Sequence, residues 1–381
     1  MNLKITNQTD QWVTDCVVDV PNNLLNKLPL GTYKAIVDGK ELPLEVASDI
    51  FDAKKVIFII ENLMPNETKI VKIVSGNATA YPKRTYAELA HKIGGKFKEG
   101  TWKYEGGFSW VKPNRMALAG NFHDHSYYIK YEGPGWENDR VAFRFYLDNR
   151  NAIDVFGKKT SEIVLPAVGV DGYDNYHAMA DWGMDNLQVG KALGLGSIAF
   201  WDGKQAQRVE KRDSTLCEVL TDGKLRSQIR TIYYGWQAGG NTYELHSLIS
   251  IDAGTRLSHI ELTTDKPVAN IATGIIKRPD TELIKNENQN GEWSYIATFG
   301  KQSLNNDMQG LAVFFRTKQL QKTTEDALNQ VIVLSQDEKN YVDYYIMPTW
   351  ELDVEPTVSK DDFIKCIENE LKKLNLKVKI K

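Results

Sequence analysis

The sequence predicts a mainly β protein, with a small N-terminal β-sandwich, a large antiparallel β-sandwich and one C-terminal amphipathic helix. Short apolar runs separated by turn signals fill residues 1–80. Strand-and-turn patterns continue from about residue 96 to 349 without alternating helices, which disfavours a parallel βαβ fold. Residues 359–374 carry an apolar stripe at helical spacing.

The N-terminal unit shows four short strand patterns, at residues 12–20, 32–37, 56–60 and 68–74. Turn-forming pairs at Asp38-Gly39 and Pro65-Asn66 separate them. This spacing is typical of an immunoglobulin-like module. We therefore expect an immunoglobulin-like β-sandwich over 1–80 and a large catalytic β domain with the C-terminal helix over 81–381.

Two helices are predicted outside the sheets. Thr85 and Glu88 have the spacing of a capping box, which predicts a short helix that ends at Gly94-Gly95. At the other end of the chain, Ser359 is placed to cap a longer helix. The expected buried stripe of that helix consists of Phe363, Ile367, Leu371 and Leu374.

Composition excludes several classes of function. The 381 residues include 47 basic and 50 acidic side chains, a net charge of −3 that argues against a nucleic-acid partner. No apolar run approaches the roughly 20 residues of a membrane span. The three cysteines are far apart and form no C-x-x-C pair, which disfavours a cysteine-based zinc site. Residues 1–9 show no signal-peptide pattern, and no oligomeric state is predicted.

The central segment 171–186, D-G-Y-D-N-Y-H-A-M-A-D-W-G-M-D-N, is the first candidate site. Its Gly, Asp and Asn residues suit a surface turn. A segment built only for turning has little need of Tyr173, Tyr176, His177 and Trp182. Because long irregular loops in compact domains are often functional, we expect this one to contribute to a site.

A second candidate lies at residues 121–148, which are predicted to form a long hairpin with its tip at 133–137. Alternate positions of the second strand are apolar and point to the core: Val141, Phe143, Phe145 and Leu147. The opposite positions are Arg140, Ala142, Arg144 and Tyr146. The first strand offers His123, His125, Tyr127 and Tyr131 on one face. A register that pairs Tyr131 with Arg140 would gather these polar groups on one surface; the alternative is a solvated outer face.

Two weaker patterns are further candidates for functional residues. His123 and His125 share a strand face and could bind a metal ion with a third ligand such as His177. No cofactor is predicted, and a metal ion is left open. Arg230, Tyr234 and Trp236 alternate along a later strand and are expected on one face, with Arg230 and Tyr234 as candidate substrate contacts.

Two long motifs carry a family resemblance: E-G-P-G-W-E-N-D-R-V-A-F-R at 132–144, and the stretch from Tyr176 to Trp201. The chain resembles an uncharacterised-domain family found in polysaccharide-utilisation loci of Bacteroidota-type bacteria. The resemblance implies a carbohydrate-active role, like that of the ulvan oligosaccharide dehydratase, which leaves a 4,5-unsaturated uronate. The sheet-rich body is similar to the super-sandwich domains of polysaccharide lyases. A periplasmic or cell-envelope location is implied, with the cytoplasm as the alternative.

The implied activity is that of a carbon–oxygen lyase on an acidic oligosaccharide. Eliminating water or a glycosidic group across C4 and C5 of a uronate needs a base, an acid and a group that stabilises the carboxylate. The expected catalytic residues are His123, His125, Tyr176, His177 and Arg144. The expected substrate contacts are Arg140, Tyr127, Trp136, Trp182, Asp181, Arg230 and Tyr234. The alternatives are a non-catalytic carbohydrate-binding protein and a glycoside hydrolase that uses Asp181 and Asp185.

Overall fold

The computed structural model describes residues 1–20, 24, 32–123, 125–171, 175–286, 291–375 and 377–380. The first strands of the chain are β1 (Asn2–Thr6), β2 (Val13–Val20), β3 (Tyr33–Val37), β4 (Lys40–Leu42), β5 (Leu44–Ser48), β6 (Lys54–Leu63) and β7 (Thr68–Ser75). The next strands are β8 (Thr85–Glu88), β9 (His91–Phe97), β10 (Tyr104–Val111), β11 (Arg115–Ala119), β12 (Gly135–Asn138), β13 (Ala142–Phe145), β14 (Ile153–Lys158), β15 (Gly183–Asp185), β16 (Ala199–Trp201) and β17 (Ala206–Arg208).

The second half of the chain is also built from strands. They are β18 (Ser214–Asp222), β19 (Arg226–Ala238), β20 (Asn241–Asp252), β21 (Ser258–Thr264), β22 (Ile271–Ile276), β23 (Thr281–Lys285), β24 (Trp293–Lys301), β25 (Met308–Arg316), β26 (Leu320–Glu325), β27 (Asn329–Leu334) and β28 (Tyr341–Trp350). Helix α1 (Lys360–Leu374) and strand β29 (Lys377–Ile380) follow. Short 3-10 turns occur at Lys130–Glu132, Asn175–His177 and Thr317–Gln319.

The body of the protein is a layered antiparallel sandwich, which confirms the predicted super-sandwich. A nine-stranded central sheet has the order β11-β18-β19-β20-β21-β28-β25-β24-β23. Two five-stranded sheets cover one of its faces: the site sheet, β15-β14-β13-β12-β8, and the rear sheet, β17-β16-β22-β27-β26. The shared core joins Phe143 of the site sheet, Ile249 of the central sheet and Ile332 of the rear sheet. Strands β9 and β10 form a separate two-stranded ribbon, which is hydrogen-bonded to the backbone of Ser126 and Tyr128.

Helix α1 covers the opposite face of the central sheet, as the sequence predicts. Ser359 caps it by accepting a hydrogen bond from the backbone of Asp362. Phe363 and Ile367 are fully buried, and the ring of Phe363 stacks on Phe299 with centroids 5.4 Å apart. Among the described residues, no helix is long and apolar enough to cross a bilayer.

The N-terminal unit is a two-sheet sandwich, with the order β29-β1-β7-β3-β4 facing β2-β6-β5. Its core includes Leu3, Phe58 and Ile73, all buried. The final strand, which the sequence assigned to the second unit, pairs with β1 and so belongs to the first sheet. Arg226 joins the two units because its guanidinium contacts Asp19 at 2.9 Å and Asp252 at 2.5 Å.

The helix expected at 85–95 is wrong, because this segment forms strands β8 and β9. The Thr85 hydroxyl bonds the carbonyl of Gly223 and the hydroxyl of Ser227 instead of capping a helix. Strand β8 pairs with β12 at the edge of the site sheet, and Ala87 is buried in the shared core. Tertiary pairing overrides a local capping pattern here.

The expected 121–148 hairpin is also corrected. Its predicted tip, 133–137, contributes strand β12, and the turn lies at Asp139–Arg140, where the side chain of Asn138 accepts from two backbone amides. Gly133 serves close packing, because a Cβ there would lie 1.8 Å from the carbonyl oxygen of Phe145. The pairing of Tyr131 with Arg140 does not form, since residues 125–132 contain no strand that pairs with β13, and Arg144 pairs with Gly135.

Candidate active site

The candidate site lies on the outer face of the site sheet. Strand alternation sends Phe143 and Phe145 of β13 into the shared core and Arg144 to the outer face. Two neighbouring strands present acidic side chains beside it, Asp154 from β14 and Asp185 from β15. Charged residues are therefore brought together on a buried sheet face, a costly arrangement unless they are paired.

Arg144 is the centre of this network and is 1% exposed. Its guanidinium lies 2.5 Å from Asp185 and 2.8 Å from Asp154, and donates to the hydroxyl of Tyr176 at 3.0 Å and the carbonyl of Tyr131 at 3.1 Å. Burial opposes the charged form, but the neighbouring charges, led by Asp185, raise the pKa of Arg144 well above its usual value. Arg144 is thus a permanent cation whose donors are used inside the protein.

Asp154 is the proton-holding member of the network. Its Oδ2 atom accepts hydrogen bonds from the Tyr146 hydroxyl at 2.6 Å and from Arg144. Burial, followed by the negative charge of Asp185, raises the pKa of Asp154 to about 7. Burial also raises the pKa of Tyr146 well above its ordinary value, so that Tyr146 stays a hydrogen-bond donor.

His177 is the solvent-facing end of the network. Its Nε2 atom lies 3.2 Å from Oδ2 of Asp185, and its ring packs on Tyr176 with centroids 4.4 Å apart. About a third of the side chain, 31%, is exposed. Partial burial opposes the charged imidazole, but the hydrogen bond and charge of Asp185 outweigh it and raise the pKa of His177. A carboxylate that orients a half-open imidazole is a usual arrangement for proton transfer.

The two carboxylate oxygens of Asp185, Oδ1 and Oδ2, differ in their hydrogen bonding. Oδ1 is buried and has no hydrogen-bond partner within the part of the chain that the structure describes. Its sister oxygen is engaged by both Arg144 and His177. Buried polar atoms without a partner are uncommon in folded proteins, and each needs a physical explanation.

A strained loop carries His125 beside this network. The backbone amide of His125 donates to Glu132 at 3.4 Å, and Glu132 pairs with Arg150 at 2.7 Å. Positive φ angles at non-glycine residues concentrate here: His125, Tyr127, Tyr131 and Glu132. Such conformations each cost about 1–3 kcal/mol and cluster at functional sites.

The sequence-predicted residues divide into two groups. Arg144 contacts Tyr176, and His177 contacts Asp185, which also binds Arg144. His125 is linked to them by its backbone amide, which donates to Glu132, and its side chain is exposed. Others lie on the flanking loops: His123 and Asp181 are exposed, Tyr127 is half-buried with its ring 6.5 Å from His125, and Trp182 packs on Phe156 at 6.0 Å. Asp124 and Tyr173 lie outside the described residues.

Four expected substrate contacts are placed elsewhere. Trp136 is 1% exposed, stacks on Phe143 at 5.3 Å and donates to Ser258, so its face is closed to a sugar. Arg140 pairs with Glu355, and Arg230 bridges Glu218 and Asp52. Tyr234 lies opposite Ser214 on the central sheet, next to a bulge that turns Trp236 into the core instead of leaving it on the same face.

Asp154 and Glu132 were missed as site residues, and Tyr146, which the sequence placed on the same face as Arg144, was not among the expected catalytic or substrate-binding residues. The available signal was an acidic residue inside an apolar strand, I-D-V-F at 153–156. The described ranges contain no group of three or more His, Cys, Asp or Glu side chains arranged to hold a metal ion.

A cavity of about 250 Å³ lies away from this network, where the N-terminal sandwich, the central sheet and α1 meet. Its charged lining is internally paired, since Arg226 binds Asp19 and Asp252, and Glu370 binds Lys373 at 3.1 Å. This cavity lies at the junction of the units, and its lining does not include Arg144, Asp185 or His177.

Comparisons with known proteins identify a family and no activity. A curated protein of Formosa agariphila, "Uncharacterized protein P7", is 27% identical over 154 residues, which cover 34% of this chain and 37% of that protein. Two solved structures from Enterococcus faecalis, a protein in glycosyl hydrolase family 38 and an alpha-mannosidase, align with all of this chain at 8% and 7% identity and TM-scores of 0.48 and 0.47.

The chain spans less than half the length of these proteins, 47% and 46% of the two solved chains. The family described as "Domain of unknown function (DUF4861)" matches residues 5–380, nearly the whole chain. The protein therefore belongs to the DUF4861 family.

Proposed function

We propose that this protein is a carbon–oxygen lyase that acts on a non-reducing-end uronic acid of an acidic oligosaccharide, with His177 as its proton-transfer residue. The observation that carries the proposal is the chain of contacts from Arg144 through Asp185 to a half-exposed His177. The substrate class comes from the family resemblance of the two sequence motifs. The product is a 4,5-unsaturated uronate.

In this proposal His177 removes the proton on C5. The electron pair of the broken C5–H bond forms the C4–C5 double bond, and the C4–O bond breaks. The departing oxygen leaves as water or as a sugar hydroxyl after it takes a proton from Tyr176 or from the His125 loop. Asp185 stabilises the imidazolium that forms on His177, because it lies 3.2 Å away.

Arg144 has a positioning role in this mechanism. Its donors are engaged by Asp154, Asp185, Tyr131 and Tyr176, which leaves it poorly placed to grip a substrate carboxylate. It holds Asp185 and Tyr176, the two residues that contact the imidazole, and balances the buried negative charge. A uronate carboxylate is then held by groups of the flanking loops, among them His123 and His125.

The hydrolase alternative has less geometric support. Asp185 is buried and bound to Arg144, whereas Asp181 is exposed on the loop before β15. Two carboxylates that flank a glycosidic bond must both reach the substrate, at a separation of roughly 5–9.5 Å. A non-catalytic carbohydrate-binding protein was expected to stack sugars on Trp136 and Trp182, and Trp136 is buried.

The test is an incubation with uronate-terminated oligosaccharides, followed by ultraviolet absorbance and mass spectrometry. A new enoate absorbance with loss of one water identifies a dehydratase, and the same absorbance with chain shortening identifies a glycosidic lyase. Release of reducing ends without new unsaturation would show a hydrolase, and binding without product would show a carbohydrate-binding protein. Either result overturns the proposal.

A matched pair of histidine variants tests the site. His177→Asn should lower turnover by about 10²–10⁴-fold, the usual contribution of a general base. His246→Asn is the control, because His246 also bonds a carboxylate, Glu244 at 2.7 Å, and is 32% exposed. Equal activity of the two variants would remove His177 from the mechanism.

A further inference from the structure

The ribbon formed by β9 and β10 differs in charge from the rest of the chain. Its residues 91–112 contain five lysines and two glutamates, whereas the whole chain has a net charge of −3. The ribbon borders the candidate site, because the backbone amide of Lys92 donates to Tyr128 and that of Tyr104 donates to Ser126. A basic segment is therefore built onto the loop that carries His125.

The two faces of the ribbon have different roles. His91 and Phe97 lie on its inner face, where their rings contact Tyr128 at 4.8 and 5.0 Å. Because strand side chains alternate, Lys92 and Lys96 point to the opposite, outer face. Trp110 pairs with Lys92 across the ribbon, with the ammonium 5.3 Å from the ring centroid.

An ion pair lies further along the outer face. Glu105 is directly opposite Lys96 and lies 3.8 Å from Lys98. Both members of the Lys98–Glu105 pair are more than half exposed, so this pair is weak and open to competition by another anion. Lys92, Lys96, Lys98 and Trp110 together are called the basic face.

Glycines separate the two ends of the basic face. Gly94, Gly95, Gly106 and Gly107 occupy the middle of the ribbon. Gly95 cannot carry a side chain in place, because a Cβ would lie 2.4 Å from the carbonyl oxygen of Glu105. The inner side of this strip is covered, because the Tyr104 ring lies against Gly95 and its hydroxyl accepts from the Gly95 amide at 2.9 Å. On the outer side, Gly94 leaves the space between Lys92 and Lys96 without a side chain.

The basic face leads to the candidate site. The indole nitrogen of Trp110 donates to the carbonyl of Val170 at 3.3 Å. The preceding residue, Gly169, packs on Tyr176, since a Cβ there would lie 3.3 Å from the Tyr176 ring. Tyr176 in turn packs on His177. A chain that has one end at His177 can extend over Val170 to reach Trp110.

We propose that the basic face binds anionic sugar residues of the oligosaccharide beyond the reacting uronate, an inference that rests on the proposed function. Lysine ammonium groups attract carboxylate or sulfate, and Trp110 offers an aromatic surface to a sugar ring. The favoured partner is an acidic polysaccharide rather than a nucleic acid, because the basic face as defined contains a single aromatic ring, too few to stack successive bases, and the whole chain has a net charge of −3.

The test measures binding apart from turnover, by affinity electrophoresis in gels that contain ulvan, neutral dextran or a DNA oligonucleotide. The triple variant Lys92→Gln, Lys96→Gln, Lys98→Gln should bind ulvan about tenfold more weakly, with a difference that shrinks as salt rises and screens the charges. The control is Lys318→Gln, Lys322→Gln, Lys339→Gln, which removes the same charge, and Lys322 also lies 5.3 Å from a tryptophan centroid, that of Trp201.

The outcomes separate this inference from the proposed function. The inference is supported if the ribbon variant binds ulvan more weakly while the control variant does not, and if neither dextran nor DNA retains the wild-type protein. This result supports the basic face even when no unsaturated product forms. Equal binding by both triple variants overturns it, as does DNA retention that matches that of ulvan or a wild-type protein that binds no acidic polysaccharide. If turnover is seen, the ribbon variant should raise KM for long substrates and leave kcat on disaccharides unchanged.

Discussion

At the scale of single residues, the charge on Asp185 sets the proton affinity of His177. Asp185→Asn keeps the size of the side chain and removes the charge that raises the pKa of His177 above its ordinary 6.5. A general base works in its neutral form, so activity rises as pH passes its pKa. We expect the acidic limb of the pH profile of kcat/KM to move to lower pH in this variant.

Asp154→Asn is the control for that shift. Asp154 contacts the same guanidinium as Asp185, at 2.8 Å, but its effect on the pKa of His177 is a lesser one. The acidic limb of the kcat/KM profile should therefore move less in Asp154→Asn than in Asp185→Asn. An unmoved limb in Asp185→Asn would show that the contact between Asp185 and His177 does not govern proton transfer.

Asp154 also makes stability depend on pH. Its pKa is about 7 in the folded protein and 3.8 as the unperturbed value, so the native state holds a proton that the unfolded chain has released. The stabilisation is complete below the unfolded pKa and is lost as pH rises through the folded one. Thermal unfolding from pH 4 to 8 should show wild type losing stability relative to Asp154→Asn, mainly between pH 4 and 7. A constant difference over that range would contradict a raised pKa.

At the scale of elements, the position of β15 depends on a glycine. Gly183 has φ of +131°, and a Cβ there would lie 1.8 Å from the carbonyl oxygen of Gly157 on β14. Gly183→Ala should push β15 away from β14 and carry Asp185 with it. Because a misplacement near 1 Å can cost about a hundredfold in rate, we expect turnover to fall at least that far.

Gly203→Ala separates this steric effect from backbone strain. Gly203 also has a positive φ, +101°, but no atom lies within 4 Å of a Cβ built there. Its variant should lose about 1–3 kcal/mol of stability, the usual cost of a side chain at such a backbone conformation, and keep its activity. Similar turnover in the two variants would show that β15 does not need its close approach to β14. Circular dichroism and thermal unfolding confirm that each variant is folded.

The same elements show what sequence could predict. Helix α1 was predicted with its cap, because Ser359 and the stripe through Phe363 are local signals. The two faces of β13 followed from alternation, and the family motifs drew attention to His177. The strand at 135–138 was missed because Gly133 and Gly135 resemble turn residues, whereas Gly133 allows close approach to the backbone of Phe145 and Gly135 leaves room for the ring of Tyr131. Asp154 lies directly opposite Arg144 because of the register in which β13 and β14 pair. The strand propensities of the residues do not determine that register, so the contact could not be predicted from the sequence.

At the scale of the whole molecule, ion pairs join the N-terminal sandwich to the central sheet. The Arg226 side chain is 8% exposed and contacts Asp19 from the first unit and Asp252 from the second. A second bridge runs from Arg230 to Asp52 at 2.7 Å. Together with the pairing of β29 and β1, these contacts predict that the two units unfold together.

Arg226→Met tests that coupling by scanning calorimetry. Removing the guanidinium takes the ion-pair partner from Asp252, whose side chain is 20% exposed, and from Asp19, whose side chain is 44% exposed. Because water screens both carboxylates in part, we expect a loss of stability smaller than the about 3–5 kcal/mol of a fully buried pair. We expect one transition in the wild type and, in the variant, an early transition of the N-terminal sandwich separated from that of the body. The control is Arg208→Met, because Arg208 is also 8% exposed but pairs with nearby Glu210. A single transition in Arg226→Met would mean that the apolar contact of Ile57 and Ile59 with Leu225 is enough to couple the units.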